Sequence, residues 1–550
     1  MIQDRKFLIL SLALFAIAAS CSDGGSDTES SSAATSNVEI ADNRPDADDS
    51  GGSLDDLMMG EDQAGELEIA FAEKFQQDCA VCHGENLEGA AQGTPLIGVD
   101  LVNGETRENL IESIAVGNPD KGMPAWAGVL STQEIENLAL FIIEKRAGFS
   151  YDTFNFDTPF EVPTGVMESE HHTFALETVA SGLDSLPYSI APLPDGSFLL
   201  TERRLGLSIV YPDGSRSEYV QNAPKVYTDT IPQVFNQVVG WGWMMDVALH
   251  PSYEENGWVY IAFGDRCEGC NELSRETNMP VTMVKLVRGR IKNEQWVDEE
   301  VIWETDLEFY GNLPDVSPGG RIAFDGKGHV FLTVGLKGSD NHTGVQDLSI
   351  PWGKVHRVYD DGRVPKDNPF YDQENAFGSI WSYGHRSPHG LEFNPWTEQL
   401  WETEMGPRGG DEINLIYPGR NYGWPLTSKG TNYEGTKVDY GKILGIDFDI
   451  EDIEQPIVDL TPSPAVSSFA FYDGDAFPDW HGDMIVGSLK ARTLYRVRVE
   501  DGQLVSQEVL FENLARVRDV ETGYDGNIYV LLEHSTGGKI IRIRPVSGAR

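Results

Sequence analysis

At 550 residues, with 40% hydrophobic and 10% aromatic side chains, the chain is long enough for two or three domains and too apolar to be a disordered polymer. The 88 acidic and 41 basic side chains give a formal net charge of −47. Such a surface repels phosphate backbones, which excludes nucleic acid as a partner; it serves solubility, or steers the protein toward a basic redox partner.

Residues 1–21 read as a targeting segment: Arg5 and Lys6 precede an apolar run, Phe7 to Ala19, too short to span a bilayer comfortably. Ala18-Ala19-Ser20-Cys21 then resembles the cleavage box of bacterial lipoproteins, in which Cys21 is lipidated. The expectation is an exported, periplasmic protein tied to a bacterial membrane by a lipid anchor only. An ordinary secretory signal with an incidental cysteine also predicts export. Residues 22–65, rich in Ser, Asp, Gly and Ala, form an acidic tether with no apolar material for a core.

Over residues 66–148 the periodicity turns helical: Leu67, Ile69, Ala70, Ala72 and Phe75, then Arg107–Val116, then Thr132–Lys145. Within this unit stands Cys79-Ala80-Val81-Cys82-His83, the attachment signature of c-type haem. Two thiols three residues apart on a helix add to the haem vinyl groups, and His83 is directed at the iron. Gly122-Met123-Pro124 resembles the Met-Pro segment of class I cytochromes c and makes Met123 the second axial ligand. Cys267 and Cys270 repeat the C-x-x-C spacing without the histidine and read as a local disulfide of an exported protein.

After Pro163 short apolar strands alternate with Asp-Gly turns. The pattern recurs at Ile190–Thr201, Met245–Pro251 with Trp258–Phe263, Arg321–Leu332, Gly390–Pro395 with Leu400–Thr403, Ser468–Phe471 with Asp483–Val486, and Val517–Thr522 with Asn527–Leu532. Six copies, each unable to bury both faces alone, predict an all-β six-bladed β-propeller over residues 165–548, behind an N-terminal all-α cytochrome c domain.

Three groups of motifs carry a family resemblance. They are Gly384-His-Arg-Ser-Pro-His-Gly390 with Glu404–Leu415 and Asn421–Pro425; Gly353–Arg357 with Pro365–Pro369; and Gly487–Lys490 with Arg516–Asp519. Together they resemble the soluble glucose and aldose dehydrogenases, which bind pyrroloquinoline quinone (PQQ) and calcium. The resemblance implies that Lys490, Arg516 and Arg518 hold the PQQ carboxylates and that Arg386 lies near the quinone. It also implies that the carbonyls of Gly406 and Pro407 hold calcium, and that Asp411 and Glu412 serve a second calcium. A planar tricarboxylate needs fixed cations of this kind.

The family's catalytic histidine has Ser317 in its place, in Asp315-Val-Ser-Pro-Gly-Gly-Arg321, with Asp315 close enough in sequence to substitute as base. Trp241 stands for a glutamine and Leu336 for an aspartate of the family pattern. His250, in a His-Pro at a strand end, reads as structural. The leading expectation is a quinohaemoprotein dehydrogenase that oxidises a sugar or alcohol and passes electrons through haem c to a respiratory or soluble acceptor. The alternative is a catalytically degenerate propeller that binds carbohydrate or protein beside an independent cytochrome.

Overall fold

The repeated strand–turn–strand pattern becomes the two innermost strands of six antiparallel sheets. The computed structural model describes residues 71–90, 93–148, 159–233, 237–315, 317–338 and 342–546. The signal segment, Cys21 and the acidic tether lie outside them. The chain divides after Gly51, and every described residue belongs to the second unit.

In chain order, the innermost strand pairs are Pro187–Pro192 with Phe198–Glu202, Met244–Leu249 with Val259–Cys267, and Gly319–Phe324 with His329–Val334. Pro388–Phe393 with Leu400–Glu404, Val466–Phe471 with Met484–Ser488, and Arg516–Thr522 with Ile528–Glu533 follow. We number these blades 1 to 6. Their innermost strands touch in sequence, and that of blade 6 meets that of blade 1, so the ring closes. An early strand, Thr173–Ser181, joins blade 6 by pairing with Lys539–Pro545, with Phe174 opposite Pro545.

The Asp-Gly turns are built alike. Asp195, Asp325 and Asp525 each accept a hydrogen bond from the amide two residues on, at 2.8 to 3.1 Å. Gly196, Gly326 and Gly526 follow at φ of +86°, +66° and +75°, where a side chain would be strained. Apolar side chains between blades complete the core: Phe174, Tyr472, Phe477 and Trp480 pack blade 5 against blade 6, with Phe477 and Trp480 stacked at 4.2 Å.

At the centre of the ring one guanidinium joins several blades. Arg321 of blade 3 donates to the His389 carbonyl of blade 4 (2.7 Å), to Asp246 of blade 2 (3.1 Å) and to Asp519 of blade 6 (2.8 Å). Asp519 also accepts from the Ile190 amide of blade 1 at 2.8 Å. Burying these charges is tolerable because each meets partners of opposite sign or carbonyl groups.

The helices stand ahead of the propeller: residues 71–78, Ala80–His83, Arg107–Val116 and Thr132–Ala147. Ser131 caps the last with a reciprocal Glu134 box, and Gly148 ends it in the left-handed region. Its Ile135, Leu138, Ala139 and Ile142 meet Phe75, Leu110 and Ile114 in one small core. Among the described residues no helix is long and apolar enough to cross a membrane.

Candidate functional site

The helical domain presents the haem-attachment residues in workable order. Cys79 and Cys82 are free, half-buried thiols, and burial together with Asp78 pushes the Cys79 thiol up to about 11. His83 Nδ1 lies 2.8 Å from the Thr94 carbonyl oxygen. With the proton on Nδ1, that bond fixes the tautomer that leaves Nε2 for iron. Met123 is half-buried on a loop tied by two backbone bonds to Asn118, at 2.9 and 3.1 Å. Gly117 supports this loop, since a Cβ there would strike the Pro124 carbonyl.

In the propeller, the cations expected to hold a cofactor are all buried at the same ends of the inner strand pairs. Arg386, Lys490, Arg516 and Arg518 are 1 to 6% exposed, although they come from blades 4, 5 and 6. Glu533 bridges two of them, accepting from Arg516 Nε at 2.7 Å and from Arg518 Nε at 2.8 Å. Burial would raise its carboxyl, yet Arg518 and Arg516 hold it at about 2. Arg386 donates to the Gly406 carbonyl at 3.1 Å, and its Nε is buried without a partner.

Two residues of this cluster went unassigned in the sequence. Arg203 is buried over the rings of Tyr188 and Trp243, at 5.3 Å from each. Burial and repulsion from Arg518 lower its guanidinium to about 9, and its Nε has no partner. His389 is buried with Nδ1 unpartnered, and burial with the nearby Arg518 and Arg321 keeps it neutral. The signal for Arg203 was a cation directly after a buried strand, in Thr201-Glu-Arg-Arg204. His389 stood in a quoted motif with no role given. One carboxylate, Glu533, among Arg203, Arg516 and Arg518 leaves this end of the bore with excess positive charge, which suits a ligand carrying several carboxylates, while Asp246, Glu392, Asp519 and Glu521 cluster around Arg321.

The Gly406–Asp411 loop is held open by Asp411, whose oxygens accept from the Gly406 amide (3.0 Å) and the Val466 amide (2.8 Å). Asp411 thus clamps the loop through both oxygens. Glu412 differs: burial and the neighbouring Glu404 push it up to about 8, an acidic setting that a cation would relieve. His385 sits beside it, between Glu402 (3.0 Å) and Glu404 (3.1 Å).

The opposite wall departs from the family pattern. Ser317 is buried, and its carbonyl packs so close to Gly335 that a Cβ there would collide. Leu336 is fully buried with Leu313, Val345 and Trp424, and Trp241 donates to the Asn312 carbonyl at 2.8 Å. Asp315, expected as a stand-in base, is not placed as one. It accepts from the Gly242 and Trp243 amides (2.7 and 3.0 Å), Thr282 (3.1 Å) and the Lys337 ammonium (2.5 Å), fully buried throughout. All its acceptor capacity goes to holding the wall. His250 accepts from the Ser252 amide and contacts Asn256, both at 2.9 Å, a structural role as expected. Cys267 and Cys270 form a disulfide.

Residues 184–542 match the family model "Glucose / Sorbosone dehydrogenase", and residues 70–142 match "Cytochrome C oxidase, cbb3-type, subunit III". The chain is 33% identical over 381 residues to the aldose sugar dehydrogenase YliI of Escherichia coli (strain K12), covering 68% of this chain and 93% of the relative. The apo crystal structure of the E. coli soluble aldose sugar dehydrogenase superposes with a TM-score of 0.57 at 30% identity, covering 68% of this chain and all of that one. A PQQ-bound aldose sugar dehydrogenase from Streptomyces coelicolor shares the fold at a TM-score of 0.50 and 22% identity, over 70% of this chain and 99% of its own. The six blades, the cation cluster and these matches together place the chain in the glucose/sorbosone dehydrogenase family, as a propeller dehydrogenase that carries its own cytochrome c domain for haem electron transfer.

Proposed function

We propose that this protein is an exported quinohaemoprotein dehydrogenase that oxidises a sugar or alcohol with PQQ and delivers the electrons to haem c. The observation that carries the reading is the excess of buried cations at one end of the bore, which asks for a polycarboxylate. When bound, PQQ supplies two-electron oxidation of a C–H and O–H pair, with release of single electrons to a one-electron acceptor. Lys490, Arg516 and Arg518 would hold its carboxylates, Arg386 would lie near its quinone, and the Gly406 and Pro407 carbonyls would help hold calcium. Asp411 and Glu412 would serve a second calcium. The substrate would lose two electrons and two protons, and haem c, held by Cys79, Cys82, His83 and Met123, would pass the electrons one at a time to an external acceptor.

Leu336 and Trp241 stand where the family pattern has an aspartate and a glutamine, which favours a substrate other than a free aldose. Ser317 supplies no strong base there, and the engagement of Asp315 favours the second reading, a propeller that binds carbohydrate without oxidising it. Loading purified protein with PQQ and calcium, then following haem absorbance while sugars and alcohols are added, separates the two. Haem reduction that needs both PQQ and one substrate supports the dehydrogenase. Stoichiometric PQQ binding without any reduction supports the binding propeller, and failure to bind PQQ overturns the proposal.

A further inference from the structure

The last helix of the cytochrome domain buries two faces. One is the domain core described above; the other, Asn137, Leu140 and Glu144, lies outside that core. Glu144 forms a two-point ion pair with Arg408, Oε1 to Nε at 3.1 Å and Oε2 to Nη2 at 2.7 Å, with the side chains only 6 and 3% exposed. The Arg408 guanidinium lies 4.1 Å from the centre of the Phe71 ring, from the first helix of the same domain. Leu140 reaches the space over Gly409, and Asn137 donates to the Gly435 carbonyl at 3.0 Å. Arg107 donates to the Lys429 carbonyl at 2.6 Å. Three helical elements thus grip two loops of blade 4.

Arg408 belongs to the loop that presents the Gly406 and Pro407 carbonyls at the mouth of the bore. Asp411 clamps that loop from one side, and paired backbone bonds between Arg408 and Thr431, at 2.8 and 3.0 Å, clamp it from the other. We propose that the Glu144–Arg408 pair is a latch that seats the cytochrome domain on the cofactor-bearing loop of blade 4, so that electrons leave the bore across a fixed internal contact. Arg408 and Glu144 are positioning residues; they touch neither the reacting atoms nor the iron. A buried fork-shaped pair suits this role because its geometry admits one register, whereas a greasy patch alone would tolerate sliding. The docking stands on geometry alone; only the delivery of electrons rests on the proposed function.

The test uses the full holo-chain. Glu144→Gln removes the carboxylate paired with the buried Arg408, and breaking such a pair corresponds to roughly a hundredfold or more in the docking equilibrium. Hydrogen exchange of the amides at 429–436 and of the helix 132–147 is expected to accelerate by about that factor, with blade 1 and blade 2 amides unchanged. The Glu144→Met/Arg408→Met double variant, which removes both charges, is expected to restore most of the protection. Exchange that does not change in Glu144→Gln, or a double variant no better than the single, overturns the latch. In protein loaded with PQQ and calcium, Glu144→Gln is expected to slow substrate-driven haem reduction while turnover with a soluble dye acceptor and the haem potential stay as in the wild type. Equal haem reduction rates would overturn the delivery role. A wild type with no substrate-driven reduction would instead refute the proposed function, and the exchange result would still decide the docking.

Discussion

Removing the Asp315 carboxylate tests whether it is wall or base. Asp315→Ala leaves the Lys337 ammonium with only Thr282 and the Leu313 carbonyl in a fully buried site, and takes the acceptor from the Gly242 and Trp243 amides. Breaking a buried pair costs about 3–5 kcal/mol. Each orphaned buried donor adds about 1–3 kcal/mol, partly shared with the first figure. A loss of at least about 4 kcal/mol is expected, a large share of the roughly 5–15 kcal/mol that holds a domain folded. In urea unfolding followed by tryptophan fluorescence, this moves the midpoint down by more than about 1 M. The Asp315→Asn/Lys337→Met double variant, which removes both charges, should recover at least half of the loss. A destabilisation below about 1 kcal/mol, with turnover abolished, would refute the structural assignment and return Asp315 to the role of base.

Restoring an imidazole by Ser317→His should raise turnover of the PQQ-loaded protein by about 100- to 10,000-fold, the usual worth of a general base; steady-state kinetics that do not change would refute the reading of that wall. Glu533 titrates at about 2 in the fold, below the ordinary carboxyl range, so its contribution is complete above that range and is lost as pH falls toward 2. Acid unfolding of Glu533→Gln should therefore show a shallower loss over this window than the wild type, and parallel curves would refute the pairing. Met123→Ala should lower the haem reduction potential in a redox titration, because thioether ligation raises it; an unchanged potential would exclude Met123 from the iron.

The parts legible in the sequence were those with short-range causes. All six repeats landed on innermost strand pairs, because the apolar runs bury both faces, three of them around an Asp-Gly turn, and the Arg107–Val116 helix ran as its periodicity predicted. The outermost strands were not read. Gln503–Phe511 is mostly exposed or half-buried along its length and carries little apolar signal. In the site, the cations Arg386, Lys490, Arg516 and Arg518 were named from motifs; Arg516 and Arg518 share Glu533, Arg386 meets the Gly406 carbonyl and Lys490 lies near Asp411. What pairs with them was not legible: Glu533 meets Arg516 and Arg518 through the strand register of blade 6, and Arg203 joins them only through the closure of blade 6 on blade 1. Asp315 illustrates the limit. Its place next to Ser317 suggested chemistry, while its partners Lys337, Thr282 and the Gly242 turn come from other strands.

The pairing of Phe174 with Pro545 sets an order of events for the chain as it emerges. The helical domain has local contacts and comes first, so it can collapse while the rest is still being made. The closing strand Thr173–Ser181 follows, but its partner Lys539–Pro545 is made only after blades 1 to 5. Until then the facing edges of Thr173–Ser181 and Ile528–Glu533 stand unpaired, exposed to pairing with a second chain. Ring closure is thus the slow, concentration-sensitive step, and a cytochrome already seated on blade 4 would stand as a finished neighbour to a half-open ring.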